Sequence, residues 1–167
     1  MHIIRLAVLF GLLAALSGTI GGCARANSKV GAFFDFDTDL KLVFEVDKDI
    51  NPDENHTPSP VFVRLYELSS DNTFEKADFL ALYESDESAL GKELIRKREL
   101  ERLLPGHNRE EMYVVDPETR YVALFAEFFQ YKNSKFKLIF PVDSNNVIGN
   151  TVWVQIKDNK MQLRKAK

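Results

Sequence analysis

The sequence predicts a mainly β protein, a two-sheet β-sandwich with a small helical insertion, behind an export segment. Three observations carry that expectation. Short runs such as Leu40–Val46 alternate apolar and polar residues with the two-residue period of a strand. Clusters of Pro, Gly, Asn and Asp punctuate the runs, as turns require. One interval, at about 72–96, instead places apolar residues at helical spacing. Many short strands with a single helical interruption argue a sandwich. The chain then divides into a signal peptide over 1–22, a spacer over 23–32 and a sandwich domain over 33–167.

Met1–Arg5 carries the positive charge and Leu6–Leu16 the uncharged apolar run of a secretory signal. The side chains then shrink through Ser17-Gly18-Thr19 to Ile20-Gly21-Gly22-Cys23, which is similar to the bacterial lipobox: a branched apolar residue, two small ones and a cysteine. Small residues leave the backbone uncrowded for a peptidase acting after a lipid is placed on the thiol. Gly21 stands where that motif usually has Ala or Ser. An uncleaved membrane helix is disfavoured, because the apolar run falls short of the ~20 residues that span a bilayer and four glycines work against a helix. A plain signal with an incidental thiol is disfavoured too. Cys23 is the only cysteine, so an exported thiol has no partner within the chain and acylation gives it a role. The expected modification is a covalent diacylglycerol and N-acyl lipid on Cys23, with no other cofactor. Ala24 replaces the Asp that would mark inner-membrane retention, which points to the periplasmic face of the outer membrane.

Ala24–Val30 reads as a spacer, and Phe33-Phe34-Asp35-Phe36 as an aromatic collar on the domain's edge. Leu40, Leu42, Phe44 and Val46 share one face of a half-buried strand. Asp47–Pro60 is a loop with three prolines and four acids. Its Asp47, Asp49, Asn51 and Asp53 alternate as in a calcium-binding EF-hand, but Pro52 sits where the turn glycine belongs and Pro58 where the bidentate glutamate belongs. The prolines lower the ordering cost of binding, which favours a presented recognition loop over slack chain. Its candidate contact residues are Asp49, Asn51, Pro52, Asp53, Glu54, Asn55, His56 and Thr57.

Val61–Leu68 is apolar on both faces and reads as an interior strand, with Arg64 needing an acidic partner. Asn72 or Thr73 caps an expected helix through Glu84, its stripe formed by Phe74, Ala77 and Ala81 and widened by Leu80 and Tyr83. A second, shorter helix opens at Asp86 or Ser88 with Leu90 and Leu94 on one face, and both helices read as lids on a sheet. The basic residues from Lys92 to Arg102 are interleaved with Glu93, Glu99 and Glu101, the pattern of a solvated face with local ion pairs. Periodicity leaves Arg98–Leu104 open between strand and helix tail. Glu111–Val115, the turn Asp116–Thr119 and Arg120–Phe129 form an expected hairpin, with Tyr121–Phe129 central in its sheet. Phe136, Leu138 and Phe140 alternate in a further strand. Thr151–Lys157, with Val152, Val154 and Ile156 on one face, turns at Asp158-Asn159 toward Met161 and Leu163.

Composition excludes some functions. The signal holds Arg5 and no acid, so the mature chain is one charge more negative than the −3 of the whole, a poor match to nucleic acid. The mature histidines, His56 and His107, lie far apart in loop-like segments, and nothing identifies further metal ligands. No Gly-x-Ser-x-Gly, glycine-rich phosphate loop or Cys-x-x-Cys occurs. Adjacent acids such as Asp53-Glu54 and Glu110-Glu111 read as surface charge. The reading is a binding module and not an enzyme. A rival is a periplasmic lipoprotein that binds a small molecule or inhibits an envelope enzyme, since thirteen phenylalanines allow a pocket.

The proline-rich entry Pro58-Ser59-Pro60 to Val61-Phe62-Val63-Arg64-Leu65-Tyr66-Glu67-Leu68, preceded by Asn51-Pro52-Asp53, resembles the TssJ family, the outer-membrane lipoproteins of the type VI secretion system. The resemblance continues in Phe74, Ala77-Asp78-Phe79, Leu82-Tyr83-Glu84, Leu90-Gly91, Leu94, Pro105-Gly106 and Tyr121-Val122-Ala123. It implies a transthyretin-like sandwich with a helical excursion, an acylated cysteine and strand for Arg98–Leu104. It also implies a partner, the periplasmic domain of the inner-membrane protein TssM, contacted through the loop between the first two strands.

Overall fold

Alternating apolar residues dictate most of the strands. The structure, a computed structural model, describes residues 38–142 and 150–164; Cys23, the segment boundaries at 22/23 and 32/33 and the Phe33–Phe36 collar lie outside them. The described strands are β1 (Thr38–Val46), β2 (Val63–Leu68), β3 (Leu94–Glu99), β4 (Arg109–Val115), β5 (Tyr121–Ala126), β6 (Lys137–Pro141), β7 (Asn150–Lys157) and β8 (Lys160–Arg164), with helices α1 (Asn72–Lys76) and α2 (Phe79–Leu90) between β2 and β3. They make two four-stranded sheets, ordered β4-β1-β7-β8 and β3-β2-β5-β6. β1 runs parallel to β7 and antiparallel to β4, while every pair in the second sheet is antiparallel.

Between the sheets lies one core. Leu40, Leu42, Phe44 and Val46 of β1 meet Val63 and Leu65 of β2, Val122 and Leu124 of β5, and Val154 and Ile156 of β7. Each such side chain contributes roughly 1.5–3 kcal/mol by leaving water. A second cluster covers the outer face of the second sheet, where Tyr66, Leu68, Ala123 and Phe125 receive Phe74, Phe79, Leu82 and Leu90 from the helices. This lid explains why β2 and β5 are apolar on both faces and sit inside their sheet. β7 and β8 form the expected hairpin, with Asp158 in the left-handed region at φ 49°.

Three expectations are corrected. The helix from Asn72 to Glu84 is broken, because Ala77 is extended and the Asp78 carboxylate caps a new helix by accepting the Ala81 N–H at 2.8 Å. In one continuous helix Phe74 and Phe79 would point about 140° apart, yet both are buried on the same sheet. The break reconciles them. Lys137 Nζ takes up the carbonyls freed at the end of α1, donating to Phe74, Glu75 and Ala77 at 3.0, 2.8 and 2.7 Å. The buried face of α2 becomes Phe79, Leu82, Asp86 and Leu90, which leaves Leu80 and Tyr83 exposed at 47 % and 49 %. The expected second, shorter helix does open at Asp86, across a kink at Ser85 (φ −151°, ψ 47°), but Leu94 does not belong to it. α2 continues past a non-helical Ser85 to Leu90, Gly91 ends it at φ 53°, and Leu94 opens β3.

The expected hairpin of Glu111–Val115 with Arg120–Phe129 is also absent: β4 pairs with β1 in one sheet and β5 with β2 and β6 in the other. The turn itself forms, with Thr119 N–H on the Asp116 carbonyl at 2.9 Å, but it carries the chain across the sandwich. Buried Glu67 secures the crossing. Its carboxylate accepts the Asp116 N–H at 2.8 Å and the Thr119 hydroxyl at 3.2 Å, and pairs with Arg98 at 3.2 Å and Arg96 at 3.4 Å. The strand that the family resemblance implied for Arg98–Leu104 is met in part: β3 ends at Glu99, and beyond it Leu100 and Leu103 donate to the Val63 and Val61 carbonyls. The basic run does form ion pairs, though chiefly with Glu67 and Asp86 from other elements.

Candidate partner-binding loop and its aromatic flank

Residues 47–60 join β1 of one sheet to β2 of the other and are pinned along their length. Asp47 N–H reaches the Ile156 carbonyl at 3.0 Å, Asn51 N–H the Asp158 carbonyl at 2.8 Å, and Ser59 N–H the Ile50 carbonyl at 3.1 Å. Ile50 is fully buried and plugs the end of the core. Asn51, at φ 46° and 1 % exposed, is a peg: its Nδ2 donates to the Pro60 carbonyl and its Oδ1 accepts the Phe129 N–H, both at 2.8 Å. Asparagine suits the place because it tolerates left-handed backbone and offers both a donor and an acceptor.

The tip is organised by Asp53, whose Oδ1 accepts the Asn55 and Thr57 N–H groups at 2.8 Å each. Gln130 Nε2 fastens it from outside, donating to the Asp53 carbonyl at 2.9 Å and the Pro52 carbonyl at 3.2 Å. Of the residues singled out in the sequence, Asp49, Glu54, Asn55, His56 and Thr57 are exposed, Pro52 and Asp53 are half-buried, and Asn51 is buried. The structure gathers Glu54, Asn55, His56 and Thr57 into the turn that Asp53 organises, while Asp49 lies before the buried Ile50. Asn51 shapes that tip from beneath and its side chain is withdrawn from the surface.

At the foot of the loop lies a groove of about 390 Å³ between Pro60, α2 and the segment after β5. Tyr83, Phe79 and Tyr131 stack along it, Phe79 to Tyr131 at 4.2 Å and Phe79 to Tyr83 at 5.7 Å. Sequence reasoning missed this flank. A usable signal was the Phe128-Phe129 doublet, since adjacent residues of an extended segment point to opposite sides, and here Phe128 is buried while Phe129 is 65 % exposed.

Beneath the groove a charged cluster fixes α2 to the sheet. Asp86 Oδ2 accepts from Lys97 at 2.8 Å and from Arg64 and Tyr66 at 2.9 Å each, and Arg64 also pairs with Glu127 at 2.6 Å. Arg64 donates further to the Leu82 and Tyr83 carbonyls, left over where α2 breaks at Ser85. The acidic partner expected for Arg64 is therefore a pair. Burial alone would raise the Asp86 carboxyl, but the hydrogen bonds from Lys97, Arg64 and Tyr66 hold it below the usual carboxylate range. Burial pushes the Tyr66 hydroxyl up, and its bond to Asp86 pushes it further. Among the described residues no group of three His, Cys, Asp or Glu side chains is placed to hold a metal ion.

A mainly β sandwich of two four-stranded sheets, lidded by helices and carrying one pinned surface loop, defines the class of protein. The chain belongs to the type VI secretion lipoproteins: the family model described as "Type VI secretion lipoprotein, VasD, EvfM, TssJ, VC_A0113" matches residues 38–164. No curated protein matches it. Among solved structures, the type VI lipoprotein TssJ1 of Pseudomonas aeruginosa is similar with a TM-score of 0.71 and 23% identity, covering 78% of this chain and 99% of that one. Serratia marcescens Lip, a membrane-bound component of the type VI secretion system, gives 0.69 and 21%, covering 76% and 97%. A structure named for the TssM C-terminal domain from EAEC gives 0.65 and 20%, covering 77% and 98%. The family is one of secretion lipoproteins and not a known enzyme family.

Proposed function

We propose that this chain is the lipid-anchored component of a type VI secretion membrane complex, and that it tethers the periplasmic domain of a TssM-like inner-membrane protein to the outer membrane. The observation that carries the reading is the placement of a preorganised loop at the end of the sandwich opposite the chain's point of entry. β1 runs from Thr38 to Val46 and leads straight into the loop, so at ~3.4 Å per residue the two ends lie about 27 Å apart. The fifteen residues from Cys23 to Thr38 extend to at most ~50 Å. An acylated Cys23 thus tethers the domain through the end of β1 away from the loop, and the loop stays clear for a partner. Family membership supports the anchor, and the similar fold in a structure named for TssM supports the partner. The work is mechanical: pinned backbone, prolines and the Asp53 turn spare the loop much of its ordering cost on capture.

The experiment replaces residues 52–57 with a Gly/Ser linker, keeping Asn51 because it is a buried peg. Co-purification of the periplasmic region of TssM should be lost while the unfolding midpoint stays near that of the wild type. Capture at wild-type affinity would refute the assignment of the loop.

A further inference from the structure

Half of the large apolar side chains exposed among the described residues gather in one place: Phe62 at 51 %, Leu80 at 47 %, Tyr83 at 49 % and Phe129 at 65 % all line the groove at the foot of the loop. About half or more of each of these side chains stands in water, and they ride on a floor of the stacked Phe79 and Tyr131 rings. Contiguous exposed apolar surface of this kind marks an interaction site. The electrostatics select the occupant. Two carboxylates, Glu84 and Glu127, line the groove and no cation does. Glu127 is taken up by Arg64 at 2.6 Å, whereas Glu84 is exposed and makes no ion pair among the described residues. Arg102 lies over the Phe62 ring at 5.8 Å without lining the groove. The loop that meets the groove at Asn51 and Pro60 also carries the exposed acids Asp49 and Glu54 beside the exposed Lys48.

We infer that this groove is the second half of the partner site, and that it receives a protein segment bearing a leucine or aromatic anchor with a lysine or arginine placed to meet Glu84. The inference rests on the loop reading above and extends it: Asn51 bonds the loop at Pro60 to the groove wall at Phe129, so one partner engaging the tip is led onto the groove. A second copy of this chain is the poorer occupant. A two-fold contact sets the same patch against itself, and here that brings together two grooves lined by carboxylates and by no cation. A small molecule is also a poorer fit, because such sites enclose most of their ligand while these rims stand about half exposed.

The test uses the lipidated protein in detergent, the periplasmic region of the TssM-like protein encoded with it as the probe, and equilibrium binding as the readout. Leu80→Asp and Phe129→Asp should each weaken binding by about tenfold or more, as truncating an anchor pocket does, with unfolding midpoints unchanged. Glu84→Lys should weaken it more than Glu84→Gln, and the gap should narrow in high salt. If Leu80→Asp unfolds the domain, Phe129→Ser, at the most exposed position, decides the matter. Groove variants that bind within twofold of wild type, while the 52–57 linker variant loses capture, overturn the groove and leave the loop standing. Full capture by the linker variant, or none by the wild type, overturns both. A wild-type dimer in sedimentation that Phe129→Asp dissolves overturns the inference in favour of a second copy.

Discussion

Replacing Asn51 separates a residue that touches a partner from one that shapes the surface a partner touches. Asn51→Gly keeps the left-handed backbone at φ 46° but removes both side-chain bonds, leaving the Pro60 carbonyl and the Phe129 N–H without partners. At about 1–1.5 kcal/mol for each bond lost from a partly buried site, the cost is about 2–3 kcal/mol. Asn51→Ala adds a Cβ in left-handed backbone, a further ~1 kcal/mol. The domain is small enough for two-state unfolding. With a urea slope of about 1.5 kcal/mol/M, Asn51→Gly should lower the midpoint by about 1.3–2 M and Asn51→Ala by a further ~0.7 M. Hydrogen exchange should quicken first over 52–59 and at Phe129, since those groups lose their shared peg. If both variants unfold at the wild-type midpoint and nonetheless lose the partner, Asn51 is a contact residue and the peg is wrong.

Asp86→Asn should lower stability at pH 7 by about 2–4 kcal/mol, because it strips the counter-charge from Arg64 and Lys97 around a carboxylate only 7 % exposed. A carboxyl held below its unfolded value stabilises the fold above that value, here 3.8, and loses the contribution as pH falls through its folded value; denaturation of the two proteins at pH 7 and pH 3 should therefore show the gap closing in acid, and a constant gap contradicts the ion cluster. Lys137→Ala should cost about 1.5–3 kcal/mol by uncapping α1, with exchange over Asn72–Lys76 rising before the strands open. Burial lowers the Lys137 ammonium, with Glu75 and Asp78 only partly opposing it; Lys137→Met removes the charge as Ala does but keeps an apolar stem beside the Phe74 and Phe136 rings, so it should recover some of the loss, and a Met variant less stable than the Ala variant would argue against that packing. On the proposed acylation, Cys23→Ser should move the protein from the membrane to the soluble fraction with its midpoint unchanged, since two or more acyl chains at about 0.8 kcal/mol per buried methylene would make a durable anchor; normal recovery with membranes counts against acylation.

The candidate site was legible where side-chain chemistry is local. Prolines, acids and small polar residues marked Asp49 and Glu54–Thr57 as surface, and they are exposed. Asn51 was misread because an asparagine in a loop looks the same whether it faces solvent or serves as a buried peg; only Phe129, 78 residues further on, distinguishes the two. The groove was invisible for the same reason. Its walls come from Phe62, from α2 and from Phe129, three segments that meet only in the folded chain.

Read alone, the chain determined its class, its strands other than β3, and its loop, because alternation over β1 and β7 and two-faced apolarity over β2 and β5 are properties of consecutive residues. It did not determine which strands pair or where the helix breaks. A turn at Asp116–Thr119 is as compatible with a hairpin as with a crossing. The crossing is chosen by Glu67, 49 residues before Asp116, and by the need to place β5 where helices cover its outer face. Likewise Lys137 reaches 60 residues back to Ala77, at the end of α1. Local torsions and periodicity are written into short stretches of sequence, whereas the choice among compatible pairings belongs to hydrogen bonds and buried faces that distant residues complete.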